Sequence, residues 1–186
     1  TASRLAARVA ARGWTVSATT RDGRDGTLRH DNAAAVLAAV GQASHILSSV
    51  PPDDAGDDPV LRDYGEAIAV APARWIGYLS STGVYGDSGG AWVDETAPLA
   101  GRRPARTAAD RAWGALRGDV RRFRLPGIYG PGRSVIDRLR SGTAHRVDLA
   151  EQVFSRVHVD DIAAAVIASF TSEATGAFNI ADDVPA

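Results

Sequence analysis

The sequence predicts an α/β fold in which helices cover both faces of a doubly wound, parallel sheet. Segments rich in β-forming residues alternate with segments of helical periodicity along most of the chain, as in a parallel sheet. The segment 75–79 is apolar throughout, which is typical of a buried strand. The length of 186 residues fits one domain that buries a sizeable core.

These patterns predict, in chain order, helix 1–12, strand 14–19, helix 32–40, strand 45–50, helix 59–71, strand 75–80, helix 105–117, strand 121–125 and helix 159–170. The first helix is rich in alanine and carries Leu5 and Val9 at helical spacing. Gly13 is a residue type that often follows the last turn of a helix. Pro51 and Pro52 end the second strand, because proline cannot continue a ladder. Since helices connect the strands, we expect the four strands to lie parallel in one sheet.

The pattern at the beginning of the chain predicts an incomplete βαβ unit. A helix followed by a strand, with nothing before it, is half of a βαβ unit, and methionine is absent from the sequence. Only the residues RDGRDGTLRHD lie between strand 14–19 and helix 32–40, whereas a crossover with its helix takes at least about 10–12 residues. We therefore expect either an abbreviated crossover or a sequence from which residues have been dropped.

The composition argues against several classes of function. A net charge of −1 with dispersed arginines argues against a nucleic-acid-binding surface. Cysteine is absent, which excludes disulfide bonds and thiolate chemistry, and lysine is absent, which excludes any step that needs a lysine ammonium of this chain. No apolar run is long enough to span a bilayer, and no signal peptide is recognisable. We expect a soluble, cytoplasmic protein with no nucleic-acid or membrane partner.

Several motifs occur in a fixed order after the buried strand. They are YLSSTGVYGD (78–87), VDETAP (93–98), RLPGIYGPG (124–132), VHVDDIA (157–163) and AFNIADD (177–183). In this order and spacing they resemble the NAD-dependent epimerase/dehydratase family of extended short-chain dehydrogenases/reductases. The similarity extends over nearly the whole chain and is closest to an atypical branch that carries SSTGVYGD, RLPGIYGPG and FSRVHVDDIA.

The resemblance implies a three-layer, Rossmann-type fold for a single NAD(P)-binding domain over 1–186, truncated at both ends. It implies that the family's first strand and glycine-rich phosphate loop precede residue 1 and that a C-terminal substrate lobe follows Ala186; we expect both to be missing from this chain. Residues 131–158 would form part of the substrate-binding region.

The resemblance also implies a cofactor site. In such sites an acidic residue after the second strand binds the ribose, whereas an arginine accommodates the 2′-phosphate of NADP. Thr20 and Arg21 occupy this place, so we favour NADP(H) over NAD(H); the alternative is that Arg21 is a solvated loop residue. The other predicted cofactor contacts are Ser49, Val50, Pro51, Ser80, Pro126 and Ile128.

The predicted catalytic residues are Ser81, Thr82 and Arg106. Ser81 aligns with the catalytic Ser/Thr of the family, whose hydroxyl steadies charge on a substrate oxygen. Thr82 stands where dehydratase members keep an acid, which argues against dehydration. Alignment from Asp110, the acidic position of the family's helix, places Arg102 at the tyrosine position and Arg106 at the lysine position. An arginine holds a ribose or an anion but does not transfer protons near neutral pH.

The predicted substrate contacts are Tyr85, Arg133, Ser134 and His158. Tyr85 is also interpreted as a tyrosine packed against the sheet with its hydroxyl satisfied, and His158 as a structural hydrogen-bonding residue. Asp160 and Asp161 are predicted to cap the last helix. No His/Asp/Glu spacing predicts a metal site.

Two functions remain open at this stage. The first is an NAD(P)-dependent oxidoreductase or epimerase that acts on a small polar, sugar-like or anionic substrate, with a homodimer as one possible assembly. The second is a catalytically inactive NADP(H)-binding sensor or regulatory protein. The intact SSTGVYG and YGPG segments favour the enzyme, whereas the absent tyrosine and lysine favour the sensor.

Overall fold

The computed structural model describes residues 1–144 and 153–185. Within them the α-helices are α1 (Ala2–Ala10), α2 (Ala33–Gln42), α3 (Pro59–Ala69), α4 (Pro104–Leu116), α5 (Val135–Arg140) and α6 (Val159–Ala168). The strands are β1 (Thr19–Thr20), β2 (Leu28–Arg29), β3 (His45–Ser48), β4 (Trp75–Ser81), β5 (Val120–Leu125), β6 (Gly127–Tyr129), β7 (Arg156–His158) and β8 (Gly176–Asn179). Short 3-10 helices lie at Arg24–Gly26, Thr82–Val84 and Ser169–Thr171.

The main sheet has four strands in the order β3, β4, β5, β8, and all neighbouring pairs are parallel. The central strand β4 pairs with β3 from His45 opposite Trp75 to Ser48 opposite Tyr78. Because parallel strands point the same way, their carboxyl ends meet at one edge of the sheet. The predicted parallel α/β fold is confirmed.

Alternate side chains of β4 enter two cores on opposite faces of the sheet, as the pleat requires. Helices α1 and α6 cover the face that contains Trp75 and Leu79. Helices α2, α3 and α4 cover the face that contains Ile76 and Tyr78. The molecule therefore has the three layers that the sequence predicts.

A buried polar contact fixes α4 against the sheet. The indole Nε1 of Trp113 donates to Asp58 Oδ2 at 2.8 Å, and the Trp113 ring stacks on Tyr78 with centroids 5.2 Å apart. The other carboxylate oxygen of Asp58 accepts the N–H groups of Val60 and Leu61 and caps α3. One carboxylate thus ties α3, α4 and the central strand together at the carboxyl edge of the sheet.

The predicted strand 14–19 is wrong for most of its length. Residues 14–18 form no strand, and Thr19–Thr20 pairs in parallel with Leu28–Arg29, outside the main sheet. Among the described residues β3 is the edge strand of the main sheet on this side, and no strand pairs with 14–17; the Ala18 carbonyl accepts the Leu28 N–H at 2.8 Å. A segment rich in β-forming residues becomes a strand only where a neighbour accepts its backbone hydrogen bonds. The connection after it is a 3-10 turn and not a helical crossover, which fits the expected abbreviation.

The first helix ends as predicted. Gly13 has a φ of +82°, which glycine adopts without steric cost, and the N–H of Trp14 donates to the Val9 carbonyl at 3.2 Å. Four short strands within the described residues were not predicted from the sequence, namely β2, β6, β7 and β8, and β6 and β8 contain glycine. Strands β6 and β7 pair with each other in parallel, with Ile128 opposite Val157.

The predicted substrate-binding region 131–158 remains a prediction. Its residues 145–152 lie outside the described residues. In the part of the chain that the structure describes, no helix has both the length and the apolar character needed to cross a membrane.

Candidate functional site

The carboxyl edge of the sheet brings together residues from three parts of the sequence. Ser49, Val50 and Pro51 are exposed directly after β3. Ser81 ends the neighbouring strand β4, Thr82 follows it, and Pro126 follows β5. All three residues are half-buried. Ligands of open α/β sheets bind beyond the carboxyl ends of the strands.

The Ser81 hydroxyl accepts one hydrogen bond and donates none among the described residues. The Gly83 N–H donates to Ser81 Oγ at 3.1 Å, so the serine caps the short helix Thr82–Val84. The hydroxyl donates to no group among the described residues. It therefore has a proton to offer to an oxygen atom of a ligand. The Thr82 side chain is half-buried and makes no hydrogen bond within the same residues.

The first turn of α4 carries Arg106 next to this edge. Arg106 is half-buried, and its guanidinium makes no ion pair or hydrogen bond with residues 1–144 or 153–185. Burial raises the pKa of Tyr78, and the charge of Asp58 raises it further. The charge of Arg106 acts in the opposite direction, because the guanidinium lies near this tyrosine. A half-buried arginine without a carboxylate partner suits an anionic ligand. Arg102 differs: it is exposed and pairs with Asp87 at 3.2 Å.

A buried ion-pair network lies directly behind Ser81. Asp110 of α4 has no exposed surface and accepts hydrogen bonds from Arg124 Nε and Nη2, at 3.1 and 2.9 Å, and from Arg122 Nη1 at 2.9 Å. The Ser80 hydroxyl donates to Asp110 Oδ2 at 2.6 Å. Burial alone would raise the pKa of Asp110, but hydrogen bonds from Arg124 and Ser80 and the two arginine charges hold it below 3.8.

This network corrects the roles predicted for Ser80 and Tyr85. The Ser80 side chain is buried and bonded to Asp110, so only the backbone of Ser80 is left to contact a cofactor. The Tyr85 hydroxyl accepts from Arg124 Nη1 at 2.8 Å and donates to Asn179 Oδ1 at 2.7 Å. Tyr85 is buried as well, so it is a structural member of the network and not an open substrate contact.

Two of the other predicted substrate contacts are helix caps. The Ser134 hydroxyl accepts the Asp137 N–H at 3.0 Å, and the Asp137 carboxylate accepts the Ser134 N–H, which forms a capping box for α5. His158 caps α6, because its Nδ1 accepts the Asp160 N–H at 3.2 Å. The prediction that Asp160 caps this helix is wrong. Its carboxylate pairs instead with Arg4 and Arg8 of α1, each at 3.1 Å.

Arg133 and Arg21 retain free guanidinium groups within the described residues. Arg133 is exposed after the YGPG turn. Arg21 is exposed and follows Thr20, whose hydroxyl is engaged with Thr27 at 2.7 Å. The Arg21 side chain is thus accessible to a ligand, whereas the Thr20 hydroxyl is hydrogen-bonded within the turn.

The remaining cofactor prediction concerns the backbone after β5. Ile128 packs its side chain against the core and pairs its backbone with β7, so a ligand would meet the neighbouring Pro126 and Gly127. An open groove of about 580 Å³ lies further out, beside Tyr129. Its walls include Asp161, Asp182 and Asp183, and these carboxylates disfavour a pyrophosphate. No group of three His, Cys, Asp or Glu side chains within the described part of the chain could hold a metal ion.

Several known structures are similar to this chain, although no protein-family model and no curated protein matches it. A conserved protein of unknown function from Silicibacter pomeroyi is 39% identical; the match covers 97% of this chain and 68% of that one, with a TM-score of 0.81. MoeE5, solved with UDP-glucose and NAD, is 21% identical over 99% of this chain and 73% of its own, with a TM-score of 0.77. A human epimerase family protein solved with NADPH is 19% identical over 95% and 69%, with a TM-score of 0.70.

The identity to the Silicibacter protein shows common family membership, and the more distant structures share the fold. The order of motifs, the parallel sheet and the serine at the end of β4 agree with these similarities. The placement of Arg102 and Arg106 at the positions of the family's tyrosine and lysine remains a prediction from the motifs. The chain belongs to the same family as the conserved Silicibacter protein, and it has the fold of the more distant epimerase-like structures solved with NAD or NADPH.

Proposed function

We propose that the protein is an NAD(P)-dependent oxidoreductase or epimerase that acts on a small, sugar-like substrate, with nucleotide sugars as the first candidates. The observation that carries the proposal is the Ser81 hydroxyl, which lies at the carboxyl edge with a free proton and faces no competing acceptor among the described residues. The complexes of MoeE5 with UDP-glucose and NAD and of the human protein with NADPH support this class of ligands.

The side chains at the edge fit a nicotinamide dinucleotide. Exposed Ser49, Val50 and Pro51 provide a surface at the end of β3. Arg106 and Arg21 pair with no group among the described residues and provide two cations for ribose or phosphate oxygens. A bound nicotinamide would supply or accept the hydride. The Ser81 hydroxyl would donate a hydrogen bond to the substrate oxygen and stabilise the charge that develops there, while the proton itself comes from another donor. Arg106 would bind and orient, because its guanidinium does not exchange protons near neutral pH.

The sensor remains the second candidate, and one observation favours it. Tyrosine is absent from the helix position that supplies the proton in typical family members, and Arg102 at that position pairs with Asp87 on the surface. A protein that only senses the redox state of its cofactor needs the binding groups and not the proton donor. The two candidates differ in one measurable property, which is turnover.

A substrate screen tests the proposal. Full-length protein is mixed with NADPH or NADP and with UDP-sugars, free sugars or keto acids, and nicotinamide absorbance at 340 nm is followed. Epimerisation returns the hydride, so products of UDP-sugar reactions are also separated by chromatography. Turnover that disappears in Ser81→Ala supports the enzyme. Tight cofactor binding with no turnover in either assay supports the sensor instead.

The choice of cofactor gives a separate prediction. Arg21→Ala is expected to weaken NADPH binding about ten- to hundred-fold and to leave NADH binding nearly unchanged, because a charged hydrogen bond to the 2′-phosphate is lost. Titration of nicotinamide fluorescence measures both constants. Arg24→Ala is the matched control, since Arg24 is an exposed arginine of the same turn that already pairs with Asp22 at 3.3 Å. Equal losses for the two cofactors in Arg21→Ala would refute the phosphate contact.

A further inference from the structure

The loop between β4 and α4 has a narrow neck. The Gly101 N–H donates to the Val84 carbonyl at 2.9 Å, and a Cβ atom on Gly86 would lie only 2.5 Å from the Ala100 carbonyl oxygen. Gly86 has a φ of +85°, so glycine is required there both for conformation and for space. The two ends of segment 87–100 therefore leave the body of the protein side by side, as in an Ω-loop.

The second half of this loop is anchored to the sheet. The Glu95 carbonyl accepts from Arg124 Nη1 at 3.2 Å, and the Glu95 carboxylate accepts the Asn179 N–H at 2.6 Å. The Asn179 side chain donates to the Val93 carbonyl at 3.4 Å. Since Arg124 and Asn179 lie at the ends of β5 and β8, residues 93–95 are held at the carboxyl edge of the sheet.

The first half of the loop is bonded mainly to itself. The Gly89 N–H donates to Asp87 Oδ1 at 2.9 Å, and the Ala91 N–H donates to the Ser88 carbonyl at 3.1 Å. Asp87 also joins this half to the start of the next helix through its exposed pair with Arg102. Because these bonds are local or exposed, segment 87–91 can move as a unit at little cost.

Trp92 lies where the two halves meet. Its side chain is 81% exposed, whereas Trp75 and Trp113 are fully buried. A tryptophan provides a large, rigid and apolar contact surface with one polar N–H group. Two glycines with positive φ, Gly89 and Gly90, precede it, and Gly90 approaches Val153.

The position of Trp92 in the chain keeps it near the candidate site. The loop leaves the body at Gly86, five residues after Ser81, and returns at Arg102, one helical turn before Arg106. Arg124 Nη1 donates to the Glu95 carbonyl, and Nη2 of the same guanidinium donates to Asp110, which lies behind Ser81. Trp92 therefore immediately precedes the residues held at the carboxyl edge of the sheet, the same edge at which Ser81 ends β4.

We propose that Trp92 is a substrate-contact residue that stacks on a ring of a bound UDP-sugar, with residues 87–92 closing over the ligand. This inference rests on the proposed function and adds the residue that recognises the substrate. The flat uracil base and the apolar face of the sugar offer the same chemistry to an indole ring, namely a face of low polarity. Closure would also remove water from the neighbourhood of Ser81.

The test uses the fluorescence of Trp92 in the full-length protein with NADPH bound. Trp75 and Trp113 are buried and Trp14 is half-buried, whereas Trp92 is exposed. Acrylamide quenching in the wild type minus that in Trp92→Phe, which retains the other three tryptophans, therefore reports on Trp92. UDP-glucose, UDP and glucose 1-phosphate are the probes. If UDP and UDP-glucose lower the quenching but glucose 1-phosphate does not, the contact is to the base. If UDP-glucose and glucose 1-phosphate lower the quenching but UDP does not, the contact is to the sugar. Unchanged quenching with all three probes overturns the inference.

Binding of the same probes provides a second readout. Trp92→Ala is expected to raise the Kd for UDP-glucose about tenfold, and Trp92→Phe to restore most of the affinity, because phenylalanine keeps an aromatic face. Val70→Ala, at an 83% exposed position at the far end of α3, is the control and should change nothing. NADPH binding should be equal in all variants. If the wild type bound no NADPH, the proposed function itself would be refuted. If NADPH binding were normal and Trp92→Ala bound UDP-glucose as tightly as the wild type, only the role of Trp92 would be refuted.

Discussion

Replacing Asp110 with asparagine is expected to lower the free energy of unfolding by about 3–5 kcal/mol, because Arg124 would lose its buried counter-charge. Arg124 is 3% exposed and Asp110 has no exposed surface, so water cannot replace the lost contact. Urea denaturation measures the difference. The matched control is Asp31→Asn, because Asp31 pairs with Arg29 at 2.6 Å but both side chains are more than half exposed. That shorter ion pair should contribute much less to stability, because water screens it. Equal losses in the two variants would show that burial does not decide the strength of these pairs.

The same network predicts how stability depends on pH. The folded-state pKa of Asp110 lies below its ordinary value of 3.8, because the bonds from Arg124 and Ser80 outweigh burial. The stabilisation from this carboxylate is therefore complete above pH 3.8 and is lost as the pH falls through the folded-state pKa. The difference in stability between the wild type and Asp110→Asn should shrink in that acid range. A difference that stays constant down to full acid unfolding would contradict the assigned direction.

Replacing Ser81 with alanine is expected to lower kcat about 100-fold and to leave the Kd for NADPH unchanged. A hydroxyl aimed at the reacting oxygen contributes most in the transition state, where charge on that oxygen is largest. Arg106→Ala should instead raise the KM for the cofactor with a smaller change in kcat, because an arginine binds the ribose or phosphate but relays no proton. Steady-state kinetics with the substrate found in the screen separates the two effects.

Thr82→Ala is the control for the serine variant. Thr82 is the neighbouring hydroxyl at the same edge and makes no hydrogen bond to the described residues, so removing it tests whether any hydroxyl there suffices. We expect a smaller loss of kcat in Thr82→Ala than in Ser81→Ala. If Ser81→Ala turned over substrate at the wild-type rate, the main reason to regard this protein as an enzyme would disappear.

Long apolar segments were predictable, because their pattern depends on neighbours in the sequence. Strands β3, β4 and β5 agree with their predicted ranges to within a few residues, although only β3 and β4 are composed mainly of apolar and β-forming residues and β5 contains three arginines. Segment 14–18 has the same composition, but its pairing partner depends on the rest of the sheet. Strands β6 and β8 are short and include or adjoin glycine, so their local sequence resembles that of turns.

The site was predictable in position but less so in the roles of its residues. Ser81 and Arg106 lie where the motifs place them, at the carboxyl edge of the sheet. The partners of Tyr85 are far away in the sequence, at Arg124 and Asn179, so its burial in a network could not be inferred locally. Ser134 is a different case. Its spacing to Asp137 is that of a capping box, and this local signal would have identified it as a helix cap.

The central claim is that Ser81 and Arg106 lie at the two sides of a bound nicotinamide riboside. A crystal structure of the full-length protein with NADPH tests it directly. We expect the nicotinamide ring at the carboxyl end of β4 and the Arg106 guanidinium within hydrogen-bond distance of the ribose or phosphate oxygens. The Ser81 hydroxyl should face the space above C4, about 3–3.5 Å from the position that a reacting substrate atom would occupy. A structure in which the nicotinamide points away from Ser81, or in which Arg106 contacts no part of the cofactor, would contradict the account.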